Sequence, residues 1–303
     1  MRSGTTWAER RSKVCGVPKY LLWVLLGLVV IVIVVPIGVM FGRKKGSPGK
    51  SSVLLPLYVY PDPGAWDPLF TAIESNPHVN FTVVVNPASG PGTDPGPDAN
   101  YTSEIPKLNQ YPNVRTVGYV STNYTNRNFS DALQDVMIYS LWSANTTVPG
   151  LGMNGIFLDE TPNEYNAASA LFLEKLAVAI RSQTGLGKDP LIIHNPGTLP
   201  DAQYILSPNG PNVTIVFEGE YSTYQTTGIQ NDISGFQSSS KCSRDALACI
   251  LHSLPTSFSD SDVKSLVKDL RYVSGSIFVT GLSVDYYSSF WSGWQGFVGD
   301  VVT

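Results

Sequence analysis

Two pairs of carboxylates follow short apolar, β-branched runs, at the points where buried strands would end. Asp159 and Glu160 come directly after Gly-Ile-Phe-Leu, and Glu218 and Glu220 follow Val-Thr-Ile-Val-Phe with one glycine between them. Acids at the end of an apolar segment are costly unless they are paired, solvated or used in a reaction. Two opposed carboxyl groups are the machinery of glycoside hydrolysis: one protonates the leaving oxygen, and the other attacks, or activates water or a substrate acetamido group. These acids therefore predict a hydrolytic site. The alternative is that they cap helix N-termini or form salt bridges in loops.

Other predicted strand ends carry side chains that suit a sugar ligand. Tyrosine rings stack on the C–H faces of pyranoses and keep a hydroxyl for hydrogen bonds. The residues that we expect to bind substrate are Tyr60, Asn86, Tyr119, His194, Asn195, Glu220, Tyr221 and His252. The three histidines show no HxH or HxxxH spacing, and no GxSxG motif occurs. The sequence therefore predicts no metal, no cofactor and no serine nucleophile.

Eight short apolar segments alternate with helical patterns along the chain. The predicted strands span residues 53–60, 81–86, 115–121, 155–159, 191–195, 213–218, 248–253 and 276–281. Apolar residues at helical spacing predict helices over residues 130–143, 163–184, 259–273 and 285–298. This alternation favours parallel βαβ units, and eight of them predict an α/β fold of the (β/α)8 TIM-barrel class.

An open, doubly wound sheet is the alternative fold. It usually carries a glycine fingerprint after its first strand, whereas residues 61–64 read Pro-Asp-Pro-Gly. In a barrel, the carboxyl ends of the strands form the active site, and inward residues of even-numbered strands share layers. The two acid pairs end the fourth and sixth predicted strands, so we expect them to face each other across the mouth.

The N-terminal part of the chain predicts a membrane anchor. Residues 21–40 contain no charged side chain, and a run of that length spans a hydrocarbon core of about 30 Å. We therefore predict a cytosolic tail at residues 1–20, a transmembrane signal anchor at 21–41, a polar linker at 42–52 and the functional domain at 53–303.

All N-glycosylation sequons lie after the predicted anchor. They begin at Asn80, Asn100, Asn123, Asn128, Asn145 and Asn212. They predict a single-pass type II protein with an extracellular or lumenal domain, and we expect the plasma membrane as its location. An oxidising compartment would allow a disulfide between Cys242 and Cys249; the alternative is two buried free thiols.

The charges of the chain are unevenly distributed. All but one of its 24 acidic residues follow residue 50, whereas nine of its 20 basic residues lie within the first fifty. A domain this acidic argues against a nucleic-acid partner, because phosphates require a basic surface. The acidic domain is compatible with neutral or cationic ligands.

Five motifs in order carry a family resemblance: LLPLYVYPDPGAWDPL, VVVNPASGPG, GIFLDETP, HNPG and VFEGEY. Over about residues 53–298 the chain resembles the spherulin-4 family, and in particular its fungal glycoside hydrolases of Aspergillus galactosaminogalactan synthesis. The resemblance implies a barrel and endo-acting cleavage of α-1,4-linked N-acetylgalactosamine, with a role in exopolysaccharide synthesis and biofilm.

The resemblance also implies essential acids at Asp159, Glu160 and the strand-six glutamate. We place the last at Glu218, with Glu220 as the alternative. The expected partners are the polysaccharide and, through the N-terminal helix, a membrane, with a monomeric catalytic domain. The competing interpretation is a cell-surface barrel that binds carbohydrate or serves a structural role without catalysis.

Overall fold

The computed structural model describes the backbone at residues 13–14 and 17–18 and the chain over residues 47–302. In the N-terminal unit, Lys13–Val14 pairs antiparallel with Val17–Pro18. The predicted anchor at residues 21–41 lies outside the described residues, as does most of the predicted tail. Within the described residues, no helix combines the length and the apolar character needed to cross a membrane.

Eight parallel strands close into a barrel, in which each strand pairs with the next and the last pairs with the first. They are β1 (Ser52–Leu57), β2 (Phe81–Val85), β3 (Val114–Ser121), β4 (Gly155–Asp159), β5 (Leu191–Asn195), β6 (Val213–Glu220), β7 (Leu247–His252) and β8 (Ser276–Val279). The predicted barrel is confirmed, and every predicted strand agrees within three residues at each end.

Helices of uneven length cover the outside of the barrel. They are α1 (Asp67–Ser75), α2 (Ala99–Leu108), α3 (Phe129–Trp142), α4 (Ala167–Ser182), α5 (Ala202–Ile205), α6 (Tyr221–Thr226), α7 (Ile229–Ser240), α8 (Asp260–Leu270) and α9 (Trp294–Asp300). Side-chain caps fix the residues at which two of these helices begin. Ser259 and Asp262 form a capping box at α8, and the Asn166 side chain accepts the backbone N–H groups of Ala168 and Ser169 at α4.

The predicted helix at 285–298 is wrong over most of its length. Only α9 is helical there, and Asp285 has a left-handed φ of 48° that no α-helix accommodates. The aromatic spacing of this segment has a different cause. The Trp291 indole packs over Gly281 and Gly293, and Tyr287 reaches the barrel mouth, as described below.

Strand β3 and helix α3 approach each other closely at Gly118, and this contact fixes which side chains of β3 face the acids. A Cβ on Gly118 would lie 2.6 Å from ring atoms of Tyr139, so only glycine leaves room for this ring. The buried Tyr139 hydroxyl donates to the Val85 carbonyl at 3.1 Å, which fixes α3 against the barrel. Because side chains alternate along a strand, the outward Gly118 directs Tyr119 into the barrel.

The predicted disulfide is not formed: Cys242 and Cys249 are free thiols. Cys249 is the third residue of β7 and is fully buried, and burial raises the pKa of its thiol to about 12. Cys242 follows α7, and its Sγ donates to the Ser243 carbonyl at 3.6 Å. Proximity in sequence suggested the pair, but the strand places Cys249 inside the packed wall of the barrel.

Candidate active site

The Asn195 side chain joins the two predicted catalytic carboxylates at the mouth of the barrel. Its Nδ2 donates to Asp159 Oδ1 at 2.8 Å and to Glu218 Oε2 at 2.7 Å. Two oxygens this close to one nitrogen are at most about 5.5 Å apart. The acids of β4 and β6 therefore face each other as expected, and Glu218 rather than Glu220 lies opposite Asp159.

A turn after β5 fixes the direction of the Asn195 amide. The Gly197 N–H donates to Asn195 Oδ1 at 3.0 Å, so the amide presents its NH₂ group to the acids. The Gly197 carbonyl accepts the Glu218 N–H at 2.9 Å, which ties the same turn to β6. Gly197 has a φ of 67°, a conformation that favours glycine.

Two tyrosines bind the remaining carboxylate oxygens. Tyr119 donates its hydroxyl proton to Asp159 Oδ2 at 2.7 Å, and Tyr287 donates to Glu218 Oε1 at 2.6 Å. Tyr58 packs edge-on against both tyrosines, with ring centroids 5.9 and 5.2 Å away. All four oxygens of the pair therefore have a donor, and the Tyr58 ring packs against the two tyrosine donors.

Burial is the main influence on the acidity of both groups. It raises the pKa of Asp159, and repulsion from Glu160 adds to the rise, while hydrogen bonds from Tyr119, the Glu160 N–H and Asn195 oppose it. Burial likewise raises the pKa of Glu218, which has only Tyr287 and Asn195 as opposing donors, and repulsion from Asp159 raises it further. Asp159 is thus better supported as an anion, and Glu218 is better placed to hold a proton.

Glu160 stands beside the pair in a left-handed conformation with a φ of 53°, which costs a non-glycine residue about 1–3 kcal/mol. The fully buried Thr122 hydroxyl stabilises this turn by donating to the carbonyls of Asp159 and Glu160 at 3.0 and 2.8 Å. The Glu160 side chain turns toward β3, where Ser121 Oγ donates to its Oε2 at 2.5 Å. The third predicted acid is therefore fixed next to Asp159 rather than free in solvent.

Four predicted substrate-binding residues lie on the rim, at the carboxyl ends of β1, β6 and β7. Tyr60 is 46% exposed and donates to Asp98 Oδ2 at 3.1 Å. The His252 ring stacks on Tyr286 at 4.1 Å, and burial lowers its pKa while the charge of exposed Glu220 opposes that shift. Tyr221 packs edge-on against Phe258 at 4.9 Å. These side chains surround the acid pair without a direct hydrogen bond to it.

Two other candidates are placed differently from the prediction. Asn86 Oδ1 accepts the Gly90 N–H at 2.9 Å, so this side chain shapes the loop after β2. His194 is only 4% exposed and lies on the outer face of β5, against α4 and α5, so its predicted position at the mouth is wrong. Because neighbours on a strand alternate, the inward position of Asn195 requires His194 to point outward.

The structure adds Tyr287, Tyr58 and Thr122 to the predicted site residues. Tyr287 follows the last strand within a segment whose aromatic spacing predicted a helix. Tyr58 follows β1 and could have been found from its position at a strand end. Thr122 acts through main-chain carbonyls, and no sequence pattern marks such a role.

Comparison with known proteins identifies the family. Residues 52–301 match the family model described as Spherulation-specific family 4. The crystal structure of Aspergillus clavatus Sph3 in complex with GalNAc is similar over 84% of this chain and 98% of that one, with 44% sequence identity and a TM-score of 0.80. A chitinase from Bacteroides thetaiotaomicron shares the fold alone, at 10% identity and a TM-score of 0.50 over 83% of this chain and 96% of its own. A search of curated proteins found no match. The match over nearly the whole barrel shows that the chain belongs to the spherulin-4 family.

Proposed function

We propose that the protein is a glycoside hydrolase that cleaves within α-1,4-linked N-acetylgalactosamine stretches of galactosaminogalactan. The observation that carries this proposal is the pair of half-buried carboxylates, Asp159 and Glu218, that share the Asn195 amide. The 44% identity to a protein crystallised with GalNAc supports an amino sugar as the substrate. A module that only binds carbohydrate needs no such pair of acids with raised pKa values.

The spacing of the acids supports hydrolysis with retention of the anomeric configuration. Retaining enzymes place their carboxyl groups about 5–5.5 Å apart, whereas inverting enzymes leave about 6.5–9.5 Å for a water molecule. The shared Asn195 nitrogen keeps the nearest oxygens of Asp159 and Glu218 at most about 5.5 Å apart, which is shorter than the inverting range. In an α-linked N-acetylgalactosamine the acetamido group lies on the same side of the ring as the leaving oxygen. It therefore cannot displace that oxygen from behind, and a protein carboxylate must do so.

The hydrogen bonds around the pair support a different role for each acid. Asp159 attacks C1 of the sugar as the nucleophile while the Glu218 carboxyl group gives its proton to the departing glycosidic oxygen. A covalent glycosyl ester forms on Asp159. Glu218, now a carboxylate, takes a proton from water, whose oxygen attacks C1 and releases Asp159. Glu160, held by Ser121, positions and tunes the neighbouring nucleophile.

The cellular setting of this activity is also a proposal. The uncharged run at residues 21–40 and the sequons after it support a single-pass type II protein, with the barrel outside the cytosol and the plasma membrane as its location. An acidic, monomeric domain suits a polymer that becomes cationic when it is partly deacetylated. A role in exopolysaccharide synthesis and biofilm follows from this substrate.

The proposal is tested by incubating the purified chain with galactosaminogalactan and detecting released oligosaccharides by mass spectrometry. We expect short N-acetylgalactosamine oligomers from the wild type and none from Glu218→Gln. The matched control is Glu74→Gln, because Glu74 is exposed near the C-terminus of α1 and Gln can still accept the Tyr111 hydroxyl. Binding of the polymer without release of oligomers by the wild type would instead support the non-catalytic interpretation.

A further inference from the structure

The proposed general acid divides the mouth of the barrel into two sides. Glu218 gives its proton to the departing glycosidic oxygen, so the sugar that leaves must lie beside Glu218, whereas the sugar that is attacked lies over Asp159. Asp159 ends β4, and Glu218 lies on β6. On the side of β6 that faces away from Asp159, the next strands around the barrel are β7 and then β8. The leaving sugar is therefore expected over the ends of β7 and β8.

A stacked pair of rings occupies that side of the mouth. The rings of His252 and Tyr286 are parallel to within 3°, with centroids 4.1 Å apart, and both residues are half-buried. In the pairing of β6 with β7, Glu218 lies opposite Ile250 and Glu220 lies opposite His252. His252 thus stands two residues closer to the rim than the acid, on the neighbouring strand, with Tyr286 packed against it.

Tyr286 is also connected to the acid through the next residue in the chain. The Tyr287 hydroxyl donates to Glu218 Oε1 at 2.6 Å, and the rings of Tyr286 and Tyr287 form a T-shaped contact with centroids 4.5 Å apart. Burial, and after it the charge of Glu218, raises the pKa of the Tyr286 hydroxyl, which agrees with a position close to this carboxylate. Tyr286 therefore flanks the place of the leaving sugar.

The backbone is strained next to each of the two stacked rings. Ser253 has a φ of 57° and Asp285 a φ of 48°, left-handed conformations that are costly for residues other than glycine. The Ser253 N–H donates to the Leu282 carbonyl at 2.9 Å, which ties the loop after β7 to the loop after β8. Strain of this kind concentrates where a ligand site is held rigid. The loops thus fix the two rings relative to each other.

The imidazole of His252 adds a polar group beside the Tyr286 ring. Its Nδ1 shares a hydrogen bond with Ser253 Oγ at 2.9 Å, which leaves Nε2 as the ring nitrogen that can meet a ligand. Burial lowers the pKa of His252, against the effect of Glu220, so the ring is neutral at neutral pH. A neutral imidazole pairs with hydroxyl and amide groups. A partly exposed ring beside such a group suits the C–H face and the hydroxyls of a pyranose.

We propose that Tyr286, stacked on His252, forms the binding surface for the leaving sugar, so that the reducing-end part of the polymer crosses the ends of β7 and β8. This inference rests on the proposed function, because the role of Glu218 as the acid defines the leaving-group side. It adds Tyr286 as a specificity-determining residue, and it gives the polymer a direction across the mouth.

Two substrates with different leaving groups test this assignment. Galactosaminogalactan releases a sugar that must take a proton from Glu218, whereas the α-fluoride of an N-acetylgalactosamine trimer releases fluoride and has no leaving sugar. We expect Tyr286→Ala to lower kcat/KM for the polymer about fivefold or more and to keep kcat/KM for the fluoride within about twofold of the wild type. Retained cleavage of the fluoride also shows that the variant is folded.

Two further variants serve as controls. Tyr286→Phe keeps the ring and should match the wild type on both substrates. Tyr111→Ala removes another half-buried ring, which packs against Phe70 away from the mouth, and should also match the wild type.

The possible results separate this inference from the proposed function. Equal losses of kcat/KM on both substrates in Tyr286→Ala would overturn the inference, because Tyr286 would then act on the attacked sugar or on the fold. An unchanged kcat/KM for the polymer would overturn it as well. Either result leaves the proposed function standing, since the wild type still cleaves the polymer. A wild type that fails to cleave the polymer contradicts the proposed function, and the inference falls with it.

Discussion

Tyr287 donates its hydroxyl proton to Glu218 Oε1 at 2.6 Å, so a residue from the loop after β8 sets the acidity of a carboxylate on β6. This bond lowers the pKa of Glu218 against the effect of burial. A general acid must hold its proton to act, and its pKa therefore sets the basic limit of the pH–rate profile. The aromatic segment after β8 thus takes part in the chemistry of the site.

Tyr287→Phe should move the basic limb of the kcat/KM profile to higher pH, because loss of the donor lets the pKa of Glu218 rise further. The pH dependence of hydrolysis measures this shift. Tyr111→Phe is the matched control, since its hydroxyl bonds Glu74 far from the mouth. A basic limb that stays in place or moves to lower pH in Tyr287→Phe would contradict the assignment of Glu218 as the acid.

Asn195→Asp should lower turnover at neutral pH by at least about tenfold, because it replaces the shared donor with a third carboxylate beside two half-buried ones. The same repulsion should lower the melting temperature. Turnover and thermal unfolding of the purified variant check both effects. Asn231→Asp places the same change on the exposed surface of α7 and should alter neither. Wild-type turnover in Asn195→Asp would exclude Asn195 as the residue that organises the pair.

The pH dependence of stability should reveal the raised pKa of Glu218. A carboxyl group whose pKa is higher in the folded state favours folding below its unfolded pKa, about 4.3 for Glu, and this contribution is lost as pH rises through the folded pKa. The melting temperature of Glu218→Gln minus that of the wild type should therefore increase from acidic to neutral pH. A difference that stays constant or decreases over this range would show that Glu218 is not destabilised as an anion.

The redox state of Cys242 and Cys249 can be measured directly by alkylation. Alkylation of the unfolded chain without reductant should modify both Cys242 and Cys249, because neither is in a disulfide. In the folded chain Cys249 should resist modification, since it is fully buried and burial raises its thiol pKa to about 12. Peptide mass spectrometry distinguishes these states. A Cys242–Cys249 crosslinked peptide from the unreduced protein would contradict the two free thiols.

Much of the barrel was predictable because its signals are local. Each strand is a short apolar run, and the runs alternate with helical patterns, so the position of Asp159 and Glu218 at strand ends followed directly. His194 was misplaced although the rule that excludes it is simple. Residues 194 and 195 are neighbours on one strand and cannot both face the mouth.

Other features depend on contacts that no local pattern records. The pairing of β6 with β7 shifts register between Ile215 and Phe217, and this bulge determines which side chains of β6 face the mouth. Alternation alone gave Glu218 and Glu220 the same face and left the choice between them open. The Asn195 and Tyr287 hydrogen bonds join segments that are far apart in the sequence, so no local sequence pattern reveals them.

We propose that Asp159 and Glu218, paired through Asn195, carry out the hydrolysis. The most direct test is the kcat of Glu218→Gln and Glu220→Gln on the same galactosaminogalactan preparation, with circular dichroism to show that both are folded. We expect the kcat of Glu218→Gln to fall about 10²–10⁴-fold, as for a lost general acid, and that of Glu220→Gln to stay within a few-fold of the wild type. Wild-type kcat in Glu218→Gln would contradict it, whether or not Glu220→Gln is inactive.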